Sequence, residues 1–290
     1  MTPKVSVVSI CYRPGYFDTL VAGLKSQTFT DFEWIICDDL RSIRKTEVAN
    51  YIGDAFPFKH VKPRVVRDLS ATASALNTAL SYCSGELVYF MSDYMYIHPR
   101  ALQRHWYIYQ RYGPKVIISG ALIDAITVTG QSVYTGHPPK MITVKVGDKP
   151  VTFPELTPPL EWPMIYAEKP TQQNLISIWA EEFKPAWSEV AGYGVDWRTG
   201  AIANWALEYG VYKNTTGDFK WFWAGRNDSG PLAVFKEVGG MDERLDGQHG
   251  GIEADMATRI KNLGYSYLVD TKCPAYMLSH PFRKKETGKG

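Results

Sequence analysis

The sequence has little cysteine, no long apolar run and almost no excess of charge of either sign. Its four cysteines, Cys11, Cys37, Cys83 and Cys273, lie far apart without a CxxC pair. That spacing excludes a disulfide-dense scaffold and the usual clustered zinc site. Cys11 and Cys37 end apolar runs, as small reduced core residues do. No segment reaches the roughly 18 to 20 apolar residues that a membrane span needs. The opening "MTPKVSVVSI" enters a strand directly, with no basic region, apolar stretch and cleavage site of a secretory leader. The chain is therefore expected to be soluble, reduced and cytoplasmic. Lys plus Arg number 32 against 30 Asp plus Glu, a formal net charge of +2, and the one marked run is the tail "FRKKETGKG". Such a balance leaves no electrostatic footprint for nucleic acid as an obligatory partner. Internal repeats and low-complexity tracts are also missing.

What is present is an alternation of strand and helix over the first hundred residues. "VSVVSI" is a β-branched run before a Pro-Gly turn, and "YFDTLVAGLKSQ" follows with Phe17, Leu20, Val21 and Leu24 at helical spacing. "FEWIICDD" is a second apolar run and "RVVRD" a weaker third. "SATASALNTALSYC" reads as a helix with Ser70 as its cap, and "GELVYFMSD" as a fourth strand. Apolar strands alternating with helices predict an α/β domain built on a mostly parallel sheet covered on both faces. Further along, "ALQRHWYIYQRYG" reads as a helix and "KVIISGAL" as a strand. Residues 125–165 are rich in Thr, Val, Pro and Gly, and residues 166–223 in aromatics, among them Trp221 and Trp223. Order returns with "PLAVFKEVGG", "EADMATRIKNLGY", "SYLVD" and "AYMLSHP".

Ligands of such sheets bind beyond the carboxyl ends of the strands, where loops and helix N-termini meet. Asp38, Asp39 and Asp93 all fall at ends of that kind. Each acid alone is explained by a helix cap or a turn; their convergence on one rim is what points to a ligand.

The ordered phrases "VSVVSICYRPGYFDTLVAGLKSQTFTDFEWIICDD", "SALNTALSYCSGELVYFMSDYMYIHP", "GPLAVFKEVGGMDERL" and "GGIEADMATRIKNLGY" resemble the family-two glycosyltransferases of the GT-A fold, inverting enzymes that use nucleotide-sugar donors. The family pattern has a "QT" phrase before a strand ending in an Asp pair, an Asn-bearing helix and a "GE" strand ending in a DxD-type motif. It continues with a "GGFDE" phrase and an "ED…R…GY" helix. Several matches in the right order are far more specific than one motif. The resemblance covers roughly residues 4–102 and 225–270 and implies one continuous GT-A domain. Its parts are a nucleotide-sugar-binding half over 1–102, a variable acceptor-side region over 103–224, and a base helix with the C-terminal segment over 225–290.

The resemblance also assigns roles. Asp38 or Asp39 would read the nucleoside, with Asp39 preferred. Arg13, Asn77, Asp93 and Tyr94 would complete the donor site. A divalent cation, Mn2+ or Mg2+, would dock the diphosphate through Asp93 and, after the last strand, His280. Family members carry two or three acids after this strand, whereas the run here is Ser92, Asp93, Tyr94, Met95. The diphosphate would otherwise fall to Tyr94, Tyr96, Arg13 or other basic side chains. Glu253 would be the base that takes a proton from the acceptor hydroxyl, with Asp255 in reserve; the helix dipole accounts for either acid without chemistry. Leu76 stands where many relatives carry Arg. Asn227, Asp228 and Ser229 suit sugar hydroxyls, and Trp223 stacks on a sugar ring or fills the core.

The expected activity is transfer of a sugar from a nucleoside diphosphate, with UDP as the nucleotide, to a hydroxyl with inversion. The acceptor is a glycan, a protein or another hydroxyl compound. A non-catalytic relative that binds nucleotide sugar or glycan is the rival reading, motivated by the missing acids and by Leu76. A nucleotidyltransferase lacks support, because no Gly-rich basic phosphate loop follows the first strand.

Overall fold

The computed structural model describes residues 2–11, 17–65, 72–124, 140–146, 149–155, 206–208, 211–213, 225–247 and 251–277. Its first half alternates as the sequence predicts: β1 (Val5–Cys11), α1 (Phe17–Lys25), β2 (Phe32–Asp38), α2 (Arg41–Ile52), β3 (Phe58–Val61), α3 (Thr72–Tyr82) and β4 (Leu87–Phe90). Then come β5 (Met95–Ile97), α4 (Ala101–Tyr112), β6 (Val116–Asp124), β7 (Lys140–Val146), β8 (Lys149–Glu155), β9 (Ala206–Glu208) and β10 (Val211–Lys213). The chain returns through β11 (Asp228–Pro231), α5 (Leu232–Glu237), α6 (Ile252–Asn262) and β12 (Ser266–Met277).

Among the described residues the main sheet has the order β3-β2-β1-β4-β11-β6-β12-β10-β9, with β5 paired to β12, while β7 and β8 pair only with each other. β1 runs parallel to β2 and to β4. Such a central strand has no wet face, which is why Val5, Val7 and Val8 are all buried. Successive side chains point to opposite faces. Val5, Val7, Trp34, Ile36, Leu87 and Tyr89 therefore pack with α1, α2 and α4. Val8, Ile35, Cys37, Val88 and Phe90 pack with α3, α5 and α6.

Polar side chains inside these strands are paired with one another. Ser6 Oγ donates to Glu33 Oε1 at 2.8 Å, and Glu33 also accepts from the backbone N–H and the hydroxyl of Ser84. Trp34 Nε1 donates to Ser9 Oγ at 3.0 Å. Desolvation of these groups is thus offset by hydrogen bonds, and the sheet keeps one register.

The third strand differs from the one expected at "RVVRD". It is Phe58–Val61, paired in parallel with Trp34–Cys37; Arg64 and Val65 are in no strand and residues 66–68 lie outside the described residues. Pro63 has no N–H to extend the ladder, and Lys59 and His60 gave the real strand a polar appearance. The sheet is also more mixed than the alternation implies, because β11 runs antiparallel to both β4 and β6. β4 ends at Phe90, so Ser92, Asp93 and Tyr94 belong to the passage into β5. Ser70, read as the cap of α3, lies outside the described residues. Asp246 caps that helix instead, accepting from the backbone N–H of Ala73 at 2.7 Å and of Ser74 at 3.1 Å.

Gly85 marks the closest approach in the sheet. A Cβ there would lie 2.5 Å from Ser6 N and 2.8 Å from the Val5 carbonyl carbon, both in the backbone of the central strand. Gly85→Ala is expected to cost about 1–3 kcal/mol through forced displacement of β1, measured as a lower urea midpoint with an unchanged slope.

Candidate active site

The carboxyl ends of β1, β2 and β4 lie side by side, and the loops leaving them meet on one rim. β11 runs the other way, so the residues that enter it arrive at that same rim. Asp228 pairs with Phe90, and the Asn227 N–H donates to the Phe90 carbonyl at 2.9 Å. Arg226 is therefore held opposite the chain that carries Asp93 and Tyr94.

Asp93 is 3% exposed. It acts electrostatically on Cys11 at the end of β1 and on Arg44 in α2. Burial pushes the Cys11 thiol well up, and Asp93 and then Asp38 add to that shift, so the thiol stays protonated. The Tyr94 hydroxyl accepts from Arg226 Nη1 at 3.1 Å, and the Arg226 backbone N–H donates to Asp228 Oδ2 at 3.0 Å. Burial works against the Arg226 charge. Tyr94, Asp228 and Glu253 outweigh it and raise the guanidinium above its ordinary value.

Glu253 and Asp255 both lie in the first turn of α6, and the structure separates their roles. Asp255 Oδ2 accepts from Arg259 Nε at 2.9 Å and Nη2 at 2.6 Å. Arg259 Nη1 then donates to the carbonyls of Val238 at 2.7 Å and Gly240 at 2.8 Å. Asp255 is thus part of a brace on the Gly-Gly loop. Glu253, among the described residues, accepts no hydrogen bond and makes no ion pair, yet it senses the Arg226 charge. This rim therefore places an uncommitted carboxylate, suited to accept a proton, within electrostatic range of a permanent cation suited to hold an anion.

Asn77 braces the same loop. Its Oδ1 accepts from Met241 N at 2.7 Å, and its Nδ2 donates to Met241 O at 2.9 Å and Glu243 Oε1 at 2.8 Å. Gly240 has φ +79, and a Cβ there would lie 2.5 Å from Asn77 Oδ1, so the glycine serves this contact. Leu76 is buried against the α5 and α6 side of the sheet.

The Asp pair divides in the same way. Asp38 is fully buried, with Oδ1 accepting from Leu40 N at 2.8 Å and Arg44 Nη2 at 2.6 Å. Its Oδ2 accepts from Arg44 Nε at 2.8 Å and lies 2.8 Å from His60 Nε2. Burial alone would raise the Asp38 carboxyl, but the bonds from His60 and Arg44 hold it below its ordinary value. Asp39 is half-buried at the rim, its N–H donating to the Cys11 carbonyl at 2.9 Å.

Asn227, Asp228 and Ser229 are each 0% exposed. Asn227 Oδ1 accepts from the Tyr89 hydroxyl at 2.6 Å, and Ser229 Oγ lies 2.7 Å from His105 Nδ1. The structure thus joins β11 to the core through these side chains and brings Asp228 to Arg226. Tyr96 is buried within β5. His98 shapes its turn, Nδ1 accepting from Arg100 N at 3.0 Å, while burial and Arg100 lower it to about 4. Arg13, His280 and Trp223 lie outside the described residues, as do Arg67 and Asp68. Arg226, Arg44 and His60 escaped the sequence reading. The one signal for Arg226 was a basic residue directly before the polar run "NDS".

Among the described residues no group of three or more His, Cys, Asp and Glu side chains gathers as a metal site. Asp93 is the one acid of its run, so the described residues alone do not fit a divalent cation.

Residues 6–149 match the family described as Glycosyl transferase family 2. Over these residues, just under half of the chain, it resembles glycosyl transferase family 2. No curated protein matches the sequence. Similar solved structures include S. aureus TarS 1-349 in complex with UDP-GlcNAc, with 13% identity and TM-score 0.53, over 99% of this chain and 62% of that one. The mannosyltransferase PcManGT from Pyrobaculum calidifontis, in complex with GDP-Man and Mn2+, has 12% identity and TM-score 0.52, over 98% of this chain and 59% of that one. At such identities the likeness shows the fold alone, and that fold is GT-A. The chain spans less than two thirds of the length of either structure. No helix among the described residues is long and apolar enough to cross a membrane.

The Asp38 cluster gives a pH-dependent prediction. Asp38→Asn leaves Arg44 buried without its anion and is expected to cost about 3–5 kcal/mol near neutral pH. A carboxyl held below its ordinary value stabilises the fold fully above about pH 4 and loses that contribution as pH falls through the lower folded value. The stability gap between the two proteins should hold from pH 7 to about 5 and close only in stronger acid; closure already at pH 6 would contradict this account.

Proposed function

We propose that the chain is an inverting glycosyltransferase that moves a hexosyl group from a nucleoside diphosphate, with UDP as the nucleotide, to an acceptor hydroxyl. The observation that carries this reading is the division of labour in α6. Asp255 is engaged by Arg259, while Glu253, among the described residues, has no hydrogen bond or ion pair and acts on Arg226 at the rim where the carboxyl ends of the strands converge. An inverting transfer needs one such carboxylate to take the proton from the acceptor oxygen as that oxygen attacks the anomeric carbon. Glu253 is that base. Asp39 reads the nucleoside from the end of β2, and Asp93 and Tyr94 flank the diphosphate. A divalent cation on that diphosphate would rest on Asp93 and His280, and the acceptor would meet Trp223.

A non-catalytic, glycan-binding or nucleotide-sugar-binding role has one observation in its favour. Met95 is buried in the core and Tyr94 is bound to Arg226, where the family pattern carries acids.

Glu253→Gln is expected to lower transfer and donor hydrolysis by about a thousandfold or more, within the range that loss of general base catalysis produces, while leaving UDP binding within about twofold. Calorimetry with UDP, GDP and their common sugars, in manganese and then in chelator, checks the binding half. Product assays with the same donors check the other. Binding without any turnover in the unaltered protein would favour the non-catalytic role, and no nucleotide binding at millimolar concentration would end the transferase reading and leave the glycan-binding role.

A further inference from the structure

We propose that Arg226 is the residue that holds the diphosphate of the donor, presented by the Tyr94 hydroxyl at the position where the family pattern has an acid. The inference rests on the donor-binding reading above and names the group that does this part of the work.

The placement of Arg226 is unusually determined for a residue in a connecting segment. The next residue, Asn227, is locked on every side. Its backbone has φ +53, its N–H donates to Phe90 O, its carbonyl accepts from Gly120 N at 2.7 Å, and its side chain accepts from Tyr89. Gly120 permits this, since a Cβ there would lie 2.2 Å from the Asn227 side chain. The Arg226 backbone N–H is fixed in turn on Asp228 Oδ2, and its guanidinium is directed to Tyr94 by the 3.1 Å bond. A long basic side chain is thereby aimed at the turn that follows β4.

Its chemistry fits the ligand. A guanidinium is permanently charged and presents a planar fork that matches two phosphate oxygens at once. Arg44, on which Asp93 also acts, is bound to Asp38. Glu253 acts electrostatically on Arg226, so the base of the proposed reaction and the cation lie within range of each other. Aligning the chain with the family pattern puts Tyr94 in the place of an acid. A tyrosine there exchanges a negative charge for a neutral acceptor that orients a positive one.

The test is calorimetric titration of UDP and of UMP into the unaltered protein, Arg226→Ala, Arg226→Lys and Tyr94→Phe, each in manganese and in chelator. Arg226→Ala is expected to weaken UDP about tenfold to hundredfold, as loss of a charge-assisted pair does, and UMP markedly less. Arg226→Lys should fall between, and Tyr94→Phe should show a smaller loss with the same preference for UDP. Equal weakening of UDP and UMP, or UDP affinity unchanged in Arg226→Ala, would overturn the assignment. If Arg226→Ala does not fold, Arg226→Lys and Tyr94→Phe decide: a loss selective for UDP supports the assignment and unchanged UDP affinity overturns it. Failure of the unaltered protein to bind either nucleotide is a different result, and it removes the donor reading itself.

Discussion

The pairing of β11 with β4 is the constraint on which the rest of the site depends. Tyr94 and Arg226 stand 132 positions apart, and Tyr89 and Asn227 stand 138 apart. Closing so long a loop is entropically costly, although the cost grows only slowly with length. A strand of four residues returns few ladder bonds against that cost. The side chains supply the remainder, since Asn227 is tied to Tyr89 in β4 and Ser229 to His105 in α4. The "NDS" run is therefore polar for an internal reason. It locks an antiparallel strand between two others, and in doing so it delivers Arg226 and Asp228 to the rim.

A second constraint governs α6. The loop before it carries Gly239 and Gly240 at positive φ, a conformation that leaves backbone groups in need of partners. Arg259 binds the carbonyls on one side of this loop and Asn77 binds Met241 on the other. Asp246, a few residues on, caps α3. Each bond is worth only about 0.5–1.5 kcal/mol net, but together they connect α3, the loop and α6. The acid that participates in this brace, Asp255, has one of its oxygens, Oδ2, bound by a guanidinium. Glu253, among the described residues, takes no part in the brace.

Much of the fold was legible because buried parallel strands have a plain signature. β1, β2 and β4 are apolar on both faces, and α1, α3, α4 and α6 carry apolar positions at helical spacing. β3 was not legible, because Phe58–Val61 is an edge strand with charged and polar side chains, and "RVVRD" imitated one better. α2 escaped because Val48 and Ile52 are nearly its whole buried apolar content, while Arg44 turns inward toward Asp38. The site was legible as a list of acids and no further. Which acid is committed depends on partners that are distant or cryptic in sequence: Arg44 and His60 for Asp38, Arg259 for Asp255. Arg226 had no apolar periodicity or motif around it, and only the strand pairing shows where it goes.

The charge of the rim follows from these commitments. A turn with two or three acids repels a diphosphate until a cation neutralises them. Here one carboxylate, Asp93, remains after β4, and the position beside it holds a phenol bound to a guanidinium. Asp38, which would add to the repulsion, is neutralised within the protein by Arg44 at 2.6 Å. In a partly dehydrated pocket, charges at such distances act with several times their strength in water. The placement of Arg44 and Arg226 therefore offsets, from the protein's own side chains, part of the negative charge that the acids bring to this rim.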